Sequence, residues 1–138
     1  MRRAALPLVT LLLASGAAAS DAPTPSDPLD AVIAAPASHR VVLENDRVRV
    51  LLVTVPPGQT EPVHVHRWPS VMRVEAPQPL TYVAYAEKAG KLVEIERETI
   101  PLRRPSAASY LGPEGPHAVQ NRGTTEYRAI RVELKPGG

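Results

Sequence analysis

The chain has 138 residues, enough for one domain with a real core, and 43% of them are hydrophobic while only 4% are aromatic, with no phenylalanine. Such a core is made of Val, Leu, Ile and Ala, and sixteen prolines argue against a helical one, because proline removes a donor and breaks helix interiors. The formal net charge is +2, without the clustered Lys and Arg that a nucleic-acid surface needs, and the absence of cysteine excludes disulfides, thiol catalysis and a lipid-modified cysteine.

In chain order, residues 1–19 read as a secretory signal peptide. Arg2 and Arg3 form its basic region, Ala4 to Leu13 its apolar segment, and Ala17-Ala18-Ala19 a small-residue cleavage site before Ser20. The apolar run is shorter than the about 20 residues of a spanning helix, so no stable membrane anchor is expected and the mature protein is exported, periplasmic or secreted. Without Arg2 and Arg3 the 16 basic residues fall to 14, equal to the 14 acidic ones. Residues 20–38 are rich in Ala, Pro, Ser, Thr and Asp and read as a flexible linker; Leu29 to Ala35 offers one short helical turn. The folded domain is expected over residues 39–138.

Within that domain the signals are short strands. Val41 to Leu43 is closed by the turn-forming Glu44-Asn45-Asp46. Arg47 to Val55 follows, with Val48, Val50 and Leu52 on one face and Arg49, Leu51, Val53 and Val55 on the other. Its second half is apolar on both sides, as in a sandwich strand or one covered by a dimer partner. Pro56-Pro57-Gly58 ends it. Thr60 to His66, Ser70 to Val74, Leu80 to Ala86 and Leu92 to Arg97 come next, the last two joined by a hairpin at Glu87-Lys88-Ala89-Gly90. Thr99 to Leu102, Ala107 to Leu111, His117 to Gln120 and Tyr127 to Leu134 complete the set, and no long helical period appears. Many short strands with frequent turns predict an all-β sandwich or barrel. The glutamates at 94, 96 and 98 read as a solvated face.

Two stretches carry chemistry. Gly58 to Ser70 contains His64-Val65-His66 and the single tryptophan, Trp68. Residues two apart on a strand share a face, so two imidazoles there can converge on one metal ion at roughly 2.0–2.1 Å each; on their own they are better explained as polar residues alternating with valines. Tyr110 to Gly123 contains a Gly/Pro turn that delivers His117 to the start of a strand, with Asn121 four residues on. If the two strands lie side by side, His64, His66 and His117 occupy three sites of a metal and leave others open. His39 reads as a surface residue before the first strand. Trp68 is placed either at a cavity mouth or on the Pro69 turn, and Met72, Tyr82 and Tyr110 are candidate pocket residues.

Together the two stretches resemble the paired motifs of the cupin superfamily, small jelly-roll barrels of the double-stranded β-helix type. The first family motif is Gly, five residues, His-x-His, three or four residues, Glu, then six residues and Gly; Gly58, His64 and His66 match it. The second is Pro-x-Gly, two residues, His, three residues, Asn; Pro113, Gly115, His117 and Asn121 match, with one residue fewer between Gly115 and His117. The first-motif glutamate is absent, since Ser70 and Val71 stand where it belongs, and alternation points the next one, Glu75, outward. The resemblance implies a cupin-like barrel with His64, His66 and His117 as ligands of a divalent ion (Fe, Mn, Ni or Zn). It also implies a small-molecule ligand and oxygenase-type or isomerase-type chemistry, some cupin-like oxygenases holding iron by three histidines. A metal-free ligand-binding or structural module, or a homodimer, stands beside it as the alternative.

Overall fold

The computed structural model describes residues 27–102, 104 and 107–136; the signal peptide and residues 20–26 of the linker lie outside them. Alternation between inward and outward side chains produces nine strands there: β1 (His39–Glu44), β2 (Val48–Val55), β3 (His64–His66), β4 (Ser70–Ala76), β5 (Leu80–Lys88), β6 (Lys91–Ile100), β7 (Ser109–Leu111), β8 (Glu114–Asn121) and β9 (Tyr127–Leu134), after one helical turn, α1 (Ala31–Ala34). They form two antiparallel sheets, ordered β1-β2-β9-β4-β7 and β3-β8-β5-β6. This is the all-β jelly-roll barrel expected from the sequence.

The turns follow from their residues. Asn45 Oδ1 accepts from the amides of Arg47 and Val48 at 2.8 and 2.9 Å, closing β1 onto β2. Gly58 has φ +76° in a turn in which the Gln59 amide donates to Pro56 O at 3.2 Å, a conformation that favours glycine. The β5–β6 hairpin pairs Lys88 with Lys91 across Ala89 and Gly90, both at positive φ, as a two-residue hairpin of matching twist requires. Thr60 to His66 is a strand only over its last three residues; Thr60 makes a single bridge to Gln120, and Pro62, which has no amide to donate, interrupts the ladder.

The linker expectation needs correction from Asp27 onward. The Val65 amide donates to Leu29 O at 2.7 Å, and Asp30 forms a parallel bridge with Val65. Asp30 also caps α1 through the Val32 amide at 3.1 Å and grips the Arg49 guanidinium at 3.0 and 3.1 Å. Composition gave no sign that this aspartate had a buried partner. The segment covers the gap between β1 and β3, the edge strands of the two sheets.

The interior rows come from β2 and β9, where Arg49 lies opposite Glu133, Leu51 opposite Arg131, Val53 opposite Ala129 and Val55 opposite Tyr127. All eight are buried. Leu51, Val53, Val55, Tyr127 and Ala129 form the apolar core, with Val32, Met72, Val74 and Leu80 against it; each large side chain so buried contributes roughly 1.5–3 kcal/mol. Asn121 ties this end together. Its Nδ2 donates to Val55 O and Thr125 O at 2.8 and 2.7 Å, and its Oδ1 accepts from the Gly123 amide at 2.8 Å.

Candidate metal centre

On β3 the alternation turns His64 and His66 inward and Val65 outward. β8 lies alongside, with His64 opposite His117 and His66 opposite Glu114 across a bulge. The His64 and His117 ring centroids are 4.4 Å apart, those of His64 and His66 5.1 Å, and those of His66 and His117 5.6 Å. All three rings are buried. The three ligands predicted from the sequence thus meet on one wall.

Each of these rings is anchored through Nδ1: His64 to Pro62 O at 2.9 Å, His117 to Gly115 O at 2.8 Å, and His66 to Glu133 Oε1 at 2.7 Å. An oxygen can only accept there, so Nδ1 carries the proton and the neutral ring keeps its Nε2 lone pair. Burial also holds all three neutral: it is the largest cause lowering His64 to about 4, and it lowers His66 and His117 as well. For His66 the Arg131 charge adds to the effect, and for His64 the neighbouring His117 does. Neutral imidazoles with an outer oxygen partner are what a metal requires of histidine, the partner fixing the tautomer and orientation.

His39 is a correction. It is 3% exposed, at the inward-facing start of β1, with its ring 4.5 Å from His64 and 5.1 Å from His66. All four histidines of the chain therefore share one cluster. Ligand atoms of His39, His64 and His66 lie within 4.8 Å of one another, and so do those of His66, Glu114 and His117. Neither set contains both His64 and His117, or both His39 and His117.

Four carboxylates and two arginines that spacing did not single out surround the cluster. Glu133 is fully buried and bridges His66 to Arg49, whose Nε donates to its Oε2 at 2.5 Å. Asp30 holds the far side of the same guanidinium. Arg131 Nη2 donates to Glu114 Oε2 at 2.5 Å. Glu61 is buried with its Oε1 3.8 Å from His39 Nδ1, and burial pushes its carboxyl up to about 8. The alternation of Arg131 and Glu133 with Ile130, Val132 and Leu134 was visible in the sequence, and the position of Glu114 beside Gly115 was the only signal for that residue.

The cavity in front of the histidines has a volume of about 220 Å³, below the roughly 300–1,000 Å³ of drug-sized sites. His39, Glu61, Glu114 and Arg131 border it with the three anchored histidines, and Val53, Val55, Leu80, Ile100, Leu111, Val119 and Tyr127 supply its apolar wall. Met72 and Tyr82 line it as expected, Tyr82 stacking on His117 at 5.1 Å. Trp68 and Tyr110 do not. Trp68 lies over the Arg49 guanidinium at 4.9 Å and Lys135 at 5.4 Å, while Tyr110 is 69% exposed. Its strand neighbour Val71 points outward, and a residue directly opposite on an antiparallel pair shares that face. Ser70 is fully buried where the family glutamate would stand, and Glu75 is on the surface beside Arg128.

Among the described residues, four buried side-chain polar atoms lack a hydrogen-bond partner: His39 Nδ1, Glu61 Oε1, Arg131 Nε and Ser70 Oγ. The first three belong to residues bordering the cavity. Buried polar groups are nearly always satisfied, so this concentration, with the neutral imidazole donor set, fits a cavity built around a metal ion and a polar ligand.

No family model matches the chain, and no curated protein does. Among solved structures, a cupin domain from Bordetella pertussis Tohama I is 24% identical over 71% of this chain and 92% of its own, with a TM-score of 0.53. An RmlC-like cupin with a double-stranded β-helix fold from Methanocaldococcus jannaschii is 11% identical over 70% of this chain and 78% of its own, with a TM-score of 0.49. The first likeness, together with the two sheets described above, establishes the double-stranded β-helix of the cupins as the fold.

Proposed function

We propose that this cupin-fold barrel holds a divalent metal ion through His64, His66 and His117 and acts on a small molecule bound in the adjoining cavity. The observation that carries the reading is the anchoring of all three imidazoles by Nδ1 to an oxygen, one of them the carboxylate of Glu133. An iron, manganese, nickel or zinc ion would supply Lewis acidity, with coordination positions open toward the cavity. The chain's own residues do the rest. Valine, leucine and isoleucine walls exclude water, the unpartnered Arg131 Nε offers a donor to an anionic head group, and protonated Glu61 offers a proton at its carboxyl. The favoured substrate is a small, largely apolar molecule with one anionic end, and the chemistry is of oxygenase or isomerase type.

Metal content of the purified domain tests this: near one equivalent is expected in the wild type and a clear loss in His64→Ala. Equal, substoichiometric metal in both sinks the reading. Ser70, fully buried in place of a carboxylate ligand, favours a second reading, a metal-free ligand-binding module. Thermal stability unchanged by chelation, with a ligand-induced shift insensitive to His64→Ala, would establish that one instead.

Export rests on the Arg2-to-Ala19 pattern, and an N-terminus at Ser20 in protein recovered from outside the cytoplasm is the expected result. A homodimer is supported by the outer face of the five-stranded sheet. Leu43, Val50, Val132, Val71 and Tyr110 stand opposite one another across all five strands. Sedimentation as a monomer at micromolar concentration would remove the dimer.

A further inference from the structure

The first-motif position that should supply a carboxylate holds Ser70, a buried neutral side chain with an unpartnered hydroxyl. A different residue faces His64 and His66 from the opposite sheet edge. His39 opens β1, and the turn before it is fixed: its amide donates to Ala35 O at 3.0 Å, and the Thr54 amide donates to Ser38 O at 3.0 Å. These bonds leave the ring 97% buried, tilted at 57° to both His64 and His66. Its Nδ1 has no hydrogen-bond partner, and Glu61 Oε1, 3.8 Å away, is itself unpartnered and beyond hydrogen-bond length. The other three histidines commit Nδ1 to an oxygen. His39 is the one ring whose Nδ1 is buried and uncommitted.

We infer that His39 is a fourth imidazole ligand, contributed by the N-terminal strand, and that it replaces the missing first-motif carboxylate. The inference rests on the metal reading above. It gives the segment from Asp27 to Ser38 a purpose, because that segment sets the depth at which β1 enters the barrel. It also makes the complete ligand set neutral, so the bound ion keeps its full positive charge, favouring an anionic ligand over a neutral one.

Nitrogen-15 NMR of the intact mature protein, with labelled histidine and zinc as the probe, tests this without a variant. The chain has four histidines, and four ring-nitrogen signals are expected to move on zinc addition, His39 by Nδ1 and the others by Nε2. Coordination shifts at His64, His66 and His117 alone overturn the inference and leave the metal reading standing; no shift in any ring overturns both. The variant His39→Asn supplies a second measurement, by cobalt titration. Affinity is expected to fall by at least the roughly 10–100-fold that losing an outer partner costs, with altered visible bands, and metal-free melting curves will report the integrity of its fold. Unchanged affinity and spectrum would overturn the proposal.

Discussion

The inward rows of β2 and β9 change character from one end of the barrel to the other. At one end Arg49 faces Glu133; at the other Val53 and Val55 face Ala129 and Tyr127. Both ends are equally dry, with Glu133 and Ala129 each at 0% exposure. The apolar end is held by area removed from water, which is non-directional and tolerates small adjustments. The charged end is a chain of specific bonds, from His66 through Glu133 and Arg49 to Asp30. Such a chain gains little over a hydrophobic replacement but becomes costly when one member is removed. The barrel therefore bears a stability risk at the end where His66 is given its orientation.

That contrast is broken most severely by Glu133→Ala. It strands the Arg49 guanidinium and frees His66 Nδ1, and a loss of about 3–5 kcal/mol in denaturant unfolding is expected. A loss below about 1 kcal/mol would show the network to be idle. Glu133→Gln keeps the shape and one hydrogen bond to His66, so its signature differs: metal affinity falls roughly 10–100-fold with a smaller stability change. At the apolar end, Leu51→Ala is expected to cost about 3 kcal/mol through lost burial and a residual cavity. Its effect on metal affinity should be slight, and a drop comparable with that of Glu133→Gln would mean that the two ends are mechanically coupled.

Asn121→Ala sits next in size. Removing the side chain leaves Val55 O and Thr125 O without their donor, and roughly 1–3 kcal/mol of stability is the expected loss by denaturant titration. In the family pattern this asparagine accompanies the histidine ligand, yet here it makes no contact with a ring nitrogen and pins the β8–β9 turn to β2. A variant that lost metal before it lost stability would reverse that assignment.

The fold and half of the site were legible in the residues. Alternation, Gly/Pro turns and the two histidine motifs marked the strands and the three anchored rings, because those signals are local. What stayed hidden depends on which distant edges meet. A lone His39 before an apolar run has no period of its own, and only the approach of β1 to β3 carries it to His64. Arg49 was seen to share a face with Leu51, Val53 and Val55, but its partners, Asp30 and Glu133, lie 19 and 84 residues away. On β9 the usual sorting is inverted: Arg131 and Glu133 are buried, while Ile130, Val132 and Leu134 keep partial exposure on the outer face. Charged residues alternating with aliphatic ones give the same pattern whichever face is covered. The packed Asp27–Ser38 segment was masked by a composition that usually means a tether.

The apolar end also makes a pH prediction. Tyr127 is 7% exposed, and burial, with the nearby Glu61 and Glu114 adding to it, pushes its phenol up to about 12 from an ordinary value of 10.0. Between those two values the folded chain holds a proton that the unfolded chain releases. Stability from this group is therefore fully present below about pH 10 and is lost as pH rises toward 12, at no more than about 1.4 kcal/mol per pH unit. Tyr127→Phe has no proton to release, so its unfolding free energy should decline less steeply across that window than the wild type's. Equal slopes would mean that the phenol reaches solvent, and the apolar end would then be no drier than the cavity mouth it adjoins.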